Sequence, residues 1–332
     1  MYITQTIHWI LLIIFVWALA QAWRSSQRTE TTQPIKAFGL LLIYYASYLL
    51  FPWIILTVWQ WYRTELTHIQ AISYLLIAMV LIYARFIEPS HIVVKETHLV
   101  LDQQKPLSKP VKVALIADLH IGLYSGREQQ LQLIVNKINA QKPDFVVVAG
   151  DWTYEPENKL ATELSVLTQI QCPVYSVNGN HDEQYPGPPI QALLANALKV
   201  NKVLDIENQI VEFEDFRLLG IGDLWAGKVN LEVLSALPQD KPWVILAHNP
   251  DTVAMVPQLS SKPLMLSGHT HGGQIELPWL TSYVMKKISM LGHKRGFYEH
   301  ETANVYVTVG TGMVGAPFRF RVPPTVDILH LH

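Results

Sequence analysis

The chain of 332 residues carries a formal net charge of −2 and a pI near 6.7, with half of its residues hydrophobic against 16% charged. That balance gives no electrostatic footprint for nucleic acid, and no basic run with interleaved aromatics follows residue 88. A single cysteine, Cys172, excludes an internal disulfide and a multi-thiolate metal site, and suits either side of a membrane.

Composition changes abruptly near Pro89: residues 1–88 hold five Lys or Arg and three Asp or Glu, and the rest of the chain holds twenty and twenty-four. Ile7 to Trp23 and Ala37 to Tyr62 are uncharged, as is Ile69 to Ala84, which extends to Ile87 if Arg85 snorkels. Each is near the roughly 20 residues of a bilayer-crossing helix. The first 88 residues therefore read as a membrane anchor with transmembrane helices at about 7–23, 37–61 and 69–87. Six of the ten tryptophans lie there, with Trp23, Trp59 and Trp61 at segment ends as interfacial anchors. No Lys or Arg precedes the first segment, which argues against a cleaved signal peptide. The first connection carries Arg24, Arg28 and Lys36, and Arg85, Lys95, Lys105 and Lys109 follow the third segment, against Arg63 alone in the second connection. The positive-inside rule then puts the amino terminus outside an inner (cytoplasmic) membrane and the remaining chain, 89–332, in the cytoplasm.

Within Pro89 to Pro110, His91 to Val94 and His98 to Leu101 read as two short strands around a turn at Lys95-Glu96. Beyond them, Val113 to Ala117, Phe145 to Ala149, Val174 to Val177, Val244 to Ala247 and Leu264 to Leu266 lack sustained polar alternation. They read as strands covered on both faces. Helical patterns over Arg127 to Ala140, Asn158 to Gln169 and Pro189 to Val200 intervene, which gives a layered α/β domain with polar groups gathered beyond the strand ends.

At those ends stand Asp118 and His120, Asp151, Asn180, His248, and His269 with His271. Alone, an Asp after a strand is usually a turn residue or cap and a lone His a structural one. Five ordered blocks are a different matter: imidazole and carboxylate together suit Mn, Fe, Zn, Co or Ni. Gly150, Gly179, Gly268, Gly272 and Gly273 flank them where the backbone turns sharply. Asp223, after the strand Arg217 to Ile221, reads as a turn residue, and the histidines outside the blocks as structural.

From about Val111 onward the chain resembles the calcineurin-like metallophosphoesterases. In particular it resembles the bacterial membrane-associated branch whose last motif reads Gly-His-Thr-His-Gly-Gly-Gln, here Gly268 to Gln274, with a terminal stretch holding Gly310-Thr311-Gly312, Arg319, Arg321 and Pro323-Pro324. The resemblance implies a four-layer α/β/β/α sandwich with two mixed sheets, and a centre of two divalent ions, manganese first among them. Asp118, His120 and His271 would hold one ion, Asn180, His248 and His269 the other, and Asp151 would bridge them. His181 would face the leaving group as general acid or hydrogen-bond donor, and Asp182 would accept from its other ring nitrogen.

The implied activity is hydrolysis of a phosphoester or pyrophosphate. The membrane anchor favours a lipid-linked substrate such as UDP-2,3-diacylglucosamine, which some related bacterial proteins cleave. A general phosphodiesterase acting on small soluble substrates, and a non-catalytic metal-binding membrane scaffold, are the alternatives. Leu277 to Leu291, apolar with Lys286 and Lys287 and followed by His293, Lys294 and Arg295, reads either as a segment dipping into anionic lipid or as a solvated basic loop.

Overall fold

In the computed structural model, which describes residues 2–124 and 126–332, three helices long and apolar enough to cross a membrane occupy Thr4–Ser26, Pro34–Tyr62 and His68–Ser90. Each extends past the uncharged stretch expected of it. The second tightens into a 3-10 turn at Ser47–Leu49. Pro52 causes this, because it offers no N–H and its ring presses on the carbonyl four residues back, that of Tyr48. The third opens with a capping box, Thr67 and Gln70 each bonding the other's backbone N–H, and closes through wider and tighter turns at Tyr83–Ile87 and Glu88–Ser90.

Arg85 does not snorkel. It is buried, with its guanidinium 3.8 Å from the Tyr44 ring centroid and 4.7 Å from that of Phe86. Aromatic faces inside the bundle meet its charge instead of water.

The remaining chain forms two six-stranded sheets and a short pair, Ile121–Gly122 with Thr153–Tyr154. The first runs in the order Val93–Leu99, Thr325–Leu331, Val111–Ile116, Phe145–Ala149, Val174–Val177, Val203–Asp205. It is parallel except where Thr325–Leu331 opposes Val111–Ile116. The second runs Gly296–Glu299, Asn304–Val307, Leu264–Ser267, Trp243–Ala247, Arg217–Ile221, Ile210–Glu212, with a parallel centre and antiparallel edges.

Side-chain alternation builds the layers. In Phe145–Ala149, Val146 and Val148 face the Arg127–Gln141 helix through Leu131, Ile134 and Ile138, while Phe145, Val147 and Ala149 face the second sheet through Leu246, Leu266 and Tyr306. The second sheet's outer face buries Ile245 and Met265 beneath Leu234, Val253 and Val256. The result is the four-layer α/β/β/α sandwich, preceded by the three apolar helices.

Two expectations fail locally. Residues 91–101 do not form two strands about a turn, because Val93–Leu99 is one strand paired in register along its whole length with Thr325–Leu331. Lys95 and Glu96 are exposed on an edge strand, where charges are tolerated and discourage further pairing. The helix expected over Asn158 to Gln169 breaks into Leu160–Glu163 and a 3-10 turn at Ser165–Gln169, in which the Thr168 hydroxyl donates to the Ser165 carbonyl.

Candidate metal centre

All seven expected ligands lie just beyond strand ends and converge between the two sheets. Asp118, His120 and His271 present ligand atoms within 4.8 Å of one another, and so do Asp151, His248 and His269. Asp151 stands between the groups, its Oδ2 3.6 Å from His120 Nε2 and 3.3 Å from His248 Nε2. Asn180 joins the second group, with Oδ1 3.0 Å from His248 Nε2 and 2.9 Å from His269 Nδ1. Its amide nitrogen donates to the Tyr185 carbonyl, which fixes the oxygen inward.

The backbone is bent to make this possible. Asp118, His120, Asp151, His269 and His271 all have positive φ, between 49° and 70°, a conformation that costs non-glycine residues about 1–3 kcal/mol each and collects at functional sites. The packing also demands glycine: a Cβ on Gly179 would collide with the Asp151 carboxylate, and one on Gly310, itself at φ +66°, with that of Asp118.

The outer ring nitrogens settle which way the lone pairs point. His120 Nδ1 faces the Thr153 carbonyl at 3.2 Å, His248 Nδ1 the Ala149 carbonyl at 2.7 Å, and His269 Nε2 the Ile288 carbonyl at 3.3 Å. Each outer nitrogen thus carries a hydrogen, and the lone pairs of His120 and His269 point inward. The inward nitrogens crowd one another, His120 Nε2 against His271 Nε2 at 2.9 Å and His248 Nε2 against His269 Nδ1 at 3.1 Å. Asp118 Oδ2 is buried without a partner.

Burial holds His120 and His269 down at about 3 and His271 well below its usual range, so these rings are neutral. Burial likewise pushes the Asp118 carboxyl up to about 7 against the pull of His248, whose own ring, despite its burial, the Asp151 and Asp118 carboxylates hold up at about 10. Converging ring nitrogens, three of them on neutral imidazoles, and an orphaned carboxylate oxygen are the donor set that divalent cations fit.

His181 sits at the edge of this cluster. Its backbone N–H donates to Asp151 Oδ1 at 3.0 Å, and burial lowers its pKa. Asp182 does not orient it, contrary to the sequence expectation. That carboxylate is fully buried and accepts from the backbone N–H groups of Trp152, Thr153 and Gly179 and from the Thr153 hydroxyl, at 3.0–3.1 Å. It ties two ligand loops together. Asp223 is the expected turn residue, accepting from Ala226 N at 2.9 Å.

Sequence reading gave no role to three neighbours. Tyr154 stands edge-on to His120 and His181 with ring centroids 5.6 and 5.1 Å away, and Trp225 edge-on to His269 at 4.5 Å. Gln274 holds the Val314 and Ala316 carbonyls. Trp225 follows the strand Arg217–Ile221, whose end was the available signal. A cavity of ≈ 400 Å³ opens from the centre, lined by Asp151, Asn180, His181 and His271 together with Leu280, Val284, Ile288 and Val314.

The sequence profile described as calcineurin-like phosphoesterase matches residues 111–273. Phosphodiesterase YaeI of Escherichia coli is 31% identical over 239 residues, covering 68% of this chain and 84% of its own. The chain belongs to the calcineurin-like phosphoesterase family. This is a family of metal-dependent phosphoester hydrolases. An uncharacterized metallophosphoesterase of Helicobacter pylori is also 31% identical over 247 residues, and there the alignment covers 72% of this chain but 63% of the relative's length. A transmembrane protein with metallophosphoesterase domain from Danio rerio is 30% identical over 250 residues, 66% of this chain and 54% of that one.

Proposed function

We propose that this chain is a membrane-anchored phosphohydrolase that cleaves a phosphoester or pyrophosphate bond in a lipid-linked substrate. The observation that carries the reading is the cavity, whose lining joins the ligand cluster to the apolar side chains of Leu280, Val284 and Ile288. A phosphate would lie on the first and an acyl chain along the second. Two divalent ions, held by the seven residues as divided above, would neutralise phosphoryl oxygens and acidify a water for attack. His181 donates a hydrogen bond or proton to the leaving oxygen, and Asp182 keeps the Asp151 and Asn180 loops in register.

The rim of the cavity supports a lipid surface. Trp279, Leu280, Tyr283, Met290 and Leu291 are exposed on and beside the Leu280–Ile288 helix, with exposed Lys286 and Lys287 among them. The segment lies next to the anchor: Glu276 N donates to Phe320 O, Arg319 N donates to the Ala84 carbonyl, and the Phe320 ring stands edge-on to Tyr83. A second reading, a phosphodiesterase of small soluble esters, draws on the name of the Escherichia coli relative. A scaffold without turnover is disfavoured because every expected ligand is in place.

The test is release of nucleotide or phosphate by the detergent-purified protein with Mn, comparing UDP-2,3-diacylglucosamine with bis-p-nitrophenyl phosphate and using Asp151→Asn as control. Faster turnover of the lipid supports the proposal. Turnover of the diester alone selects the second reading, and silence on both overturns hydrolysis.

A further inference from the structure

A continuous chain of contacts runs from the connection between the first two apolar helices to the metal centre. Glu30 N donates to the Pro156 carbonyl at 2.7 Å, and Asn158 Nδ2 donates to Glu30 Oε1 at 2.6 Å. The Thr31 side chain lies beside the buried carboxylate of Glu155, a residue held at φ +49°. Just after the connection, Ala37, Leu41 and Tyr44 pack with Leu123, Tyr124, Tyr154 and Met313, and the Tyr44 and Tyr124 rings stack with centroids 5.1 Å apart.

Tyr154 is the inner end of this chain. It is 2% exposed, and its ring meets both His120 and His181. Its strand neighbour Thr153 supplies the carbonyl that His120 Nδ1 faces.

We propose that the Gln27–Gln33 connection is a positioning element of the metal centre, clamping the Thr153–Asn158 segment so that Tyr154 and the Thr153 carbonyl hold the His120 and His181 rings. The segment needs a clamp. It leaves its short strand at Tyr154, and Glu155 sits in a sparsely populated backbone region that persists only when its surroundings over-determine it. The connection supplies that constraint through Thr31 and Glu30. It lies outside the 111–273 match to the family profile, so the clamp belongs to this chain's anchor and not to the matched catalytic core. The anchor thereby shapes the site as well as localising it.

The inference rests on the metal-centre reading above, and its first readout does not require metal or activity. In the full chain in detergent, Thr31→Ala is compared with Thr31→Ser, which keeps the hydroxyl. Hydrogen exchange of the metal-free protein should accelerate about tenfold in the peptide spanning residues 150–158 for Thr31→Ala and stay at the parent rate for Thr31→Ser. With Mn, kcat on bis-p-nitrophenyl phosphate should fall about three- to tenfold for Thr31→Ala alone, with KM within about twofold, because positioning is lost and binding is not. Unchanged exchange in Thr31→Ala overturns the clamp, as does faster exchange with an unchanged kcat. Faster exchange across the whole domain also overturns it, since that marks general destabilisation. A parent chain inactive on every phosphoester would instead sink the hydrolase reading, and the exchange result would still decide the clamp.

Discussion

His181 and Asp182 are adjacent in sequence and opposite in role. The first presents its ring to the cavity, and the second spends all its hydrogen-bonding capacity on three backbone N–H groups and one hydroxyl. His181→Ala should lower kcat by about 10²–10⁴-fold, the range for removing a general acid, and leave metal content and melting temperature near those of the parent. Asp182→Ala orphans several buried donors at about 1–3 kcal/mol each and should lower the melting temperature sharply. Calorimetry beside kcat and elemental metal analysis separates the two. Equal loss of stability in both variants would remove the catalytic role of His181. The sequence misled here because side chains at consecutive loop positions turn to different sides, and only the fold shows that the Asp182 side chain reaches back to Trp152. The seven ligands were legible because each lies within four residues of the end of an apolar run.

At the scale of elements, the Leu280–Ile288 helix carries the substrate question. Lys286 and Lys287 are exposed, the latter 4.6 Å from the Tyr283 ring centroid, whereas Lys294 and Arg295 each pair with Glu276 at 2.7 Å. The four cations grouped together in the sequence therefore divide into two that pair with Glu276 and two with no carboxylate partner among the described residues. Lys286→Gln with Lys287→Gln should weaken action on vesicle-borne substrate by about 1 kcal/mol per lysine at low salt and leave a small diester unaffected. The difference should shrink in about 0.5 M salt. Lys294→Gln with Arg295→Gln should produce no such selectivity, and equal losses on both substrates for the first pair would remove the lipid contact.

Central strands such as Phe145–Ala149 and Val174–Val177 fall at the residues their apolar runs predict. The edge strand Val93–Leu99 does not, because the partner that defines it, Thr325–Leu331, lies more than 200 residues away. Local pattern cannot report a pairing of that range.

At the scale of the whole molecule, the anchor and the sandwich meet at one end of the helix bundle. Ala22 near the end of the first helix, Ala37, Leu41 and Tyr44 in the opening turns of the second, and Glu88 at the close of the third all touch the domain. Glu88 is buried and accepts from the backbone N–H groups of Arg321 and Val322 at 2.9 and 2.5 Å. This is also the end that carries Arg24, Arg28 and Lys36, so the charge bias and the domain contacts point the same way. The domain should therefore face the cytoplasm. Green fluorescent protein fused after His332 should fluoresce in a bacterial host, and alkaline phosphatase fused at the same point should be inactive. Moving the bias, by Arg24→Gln, Arg28→Gln and Lys36→Gln with lysines added beside Arg63, should shift part of the population toward active phosphatase, since flanking positive charges set the orientation of short connections. An active phosphatase fusion to the parent chain would reverse the topology and with it the side of the membrane from which substrate enters the cavity.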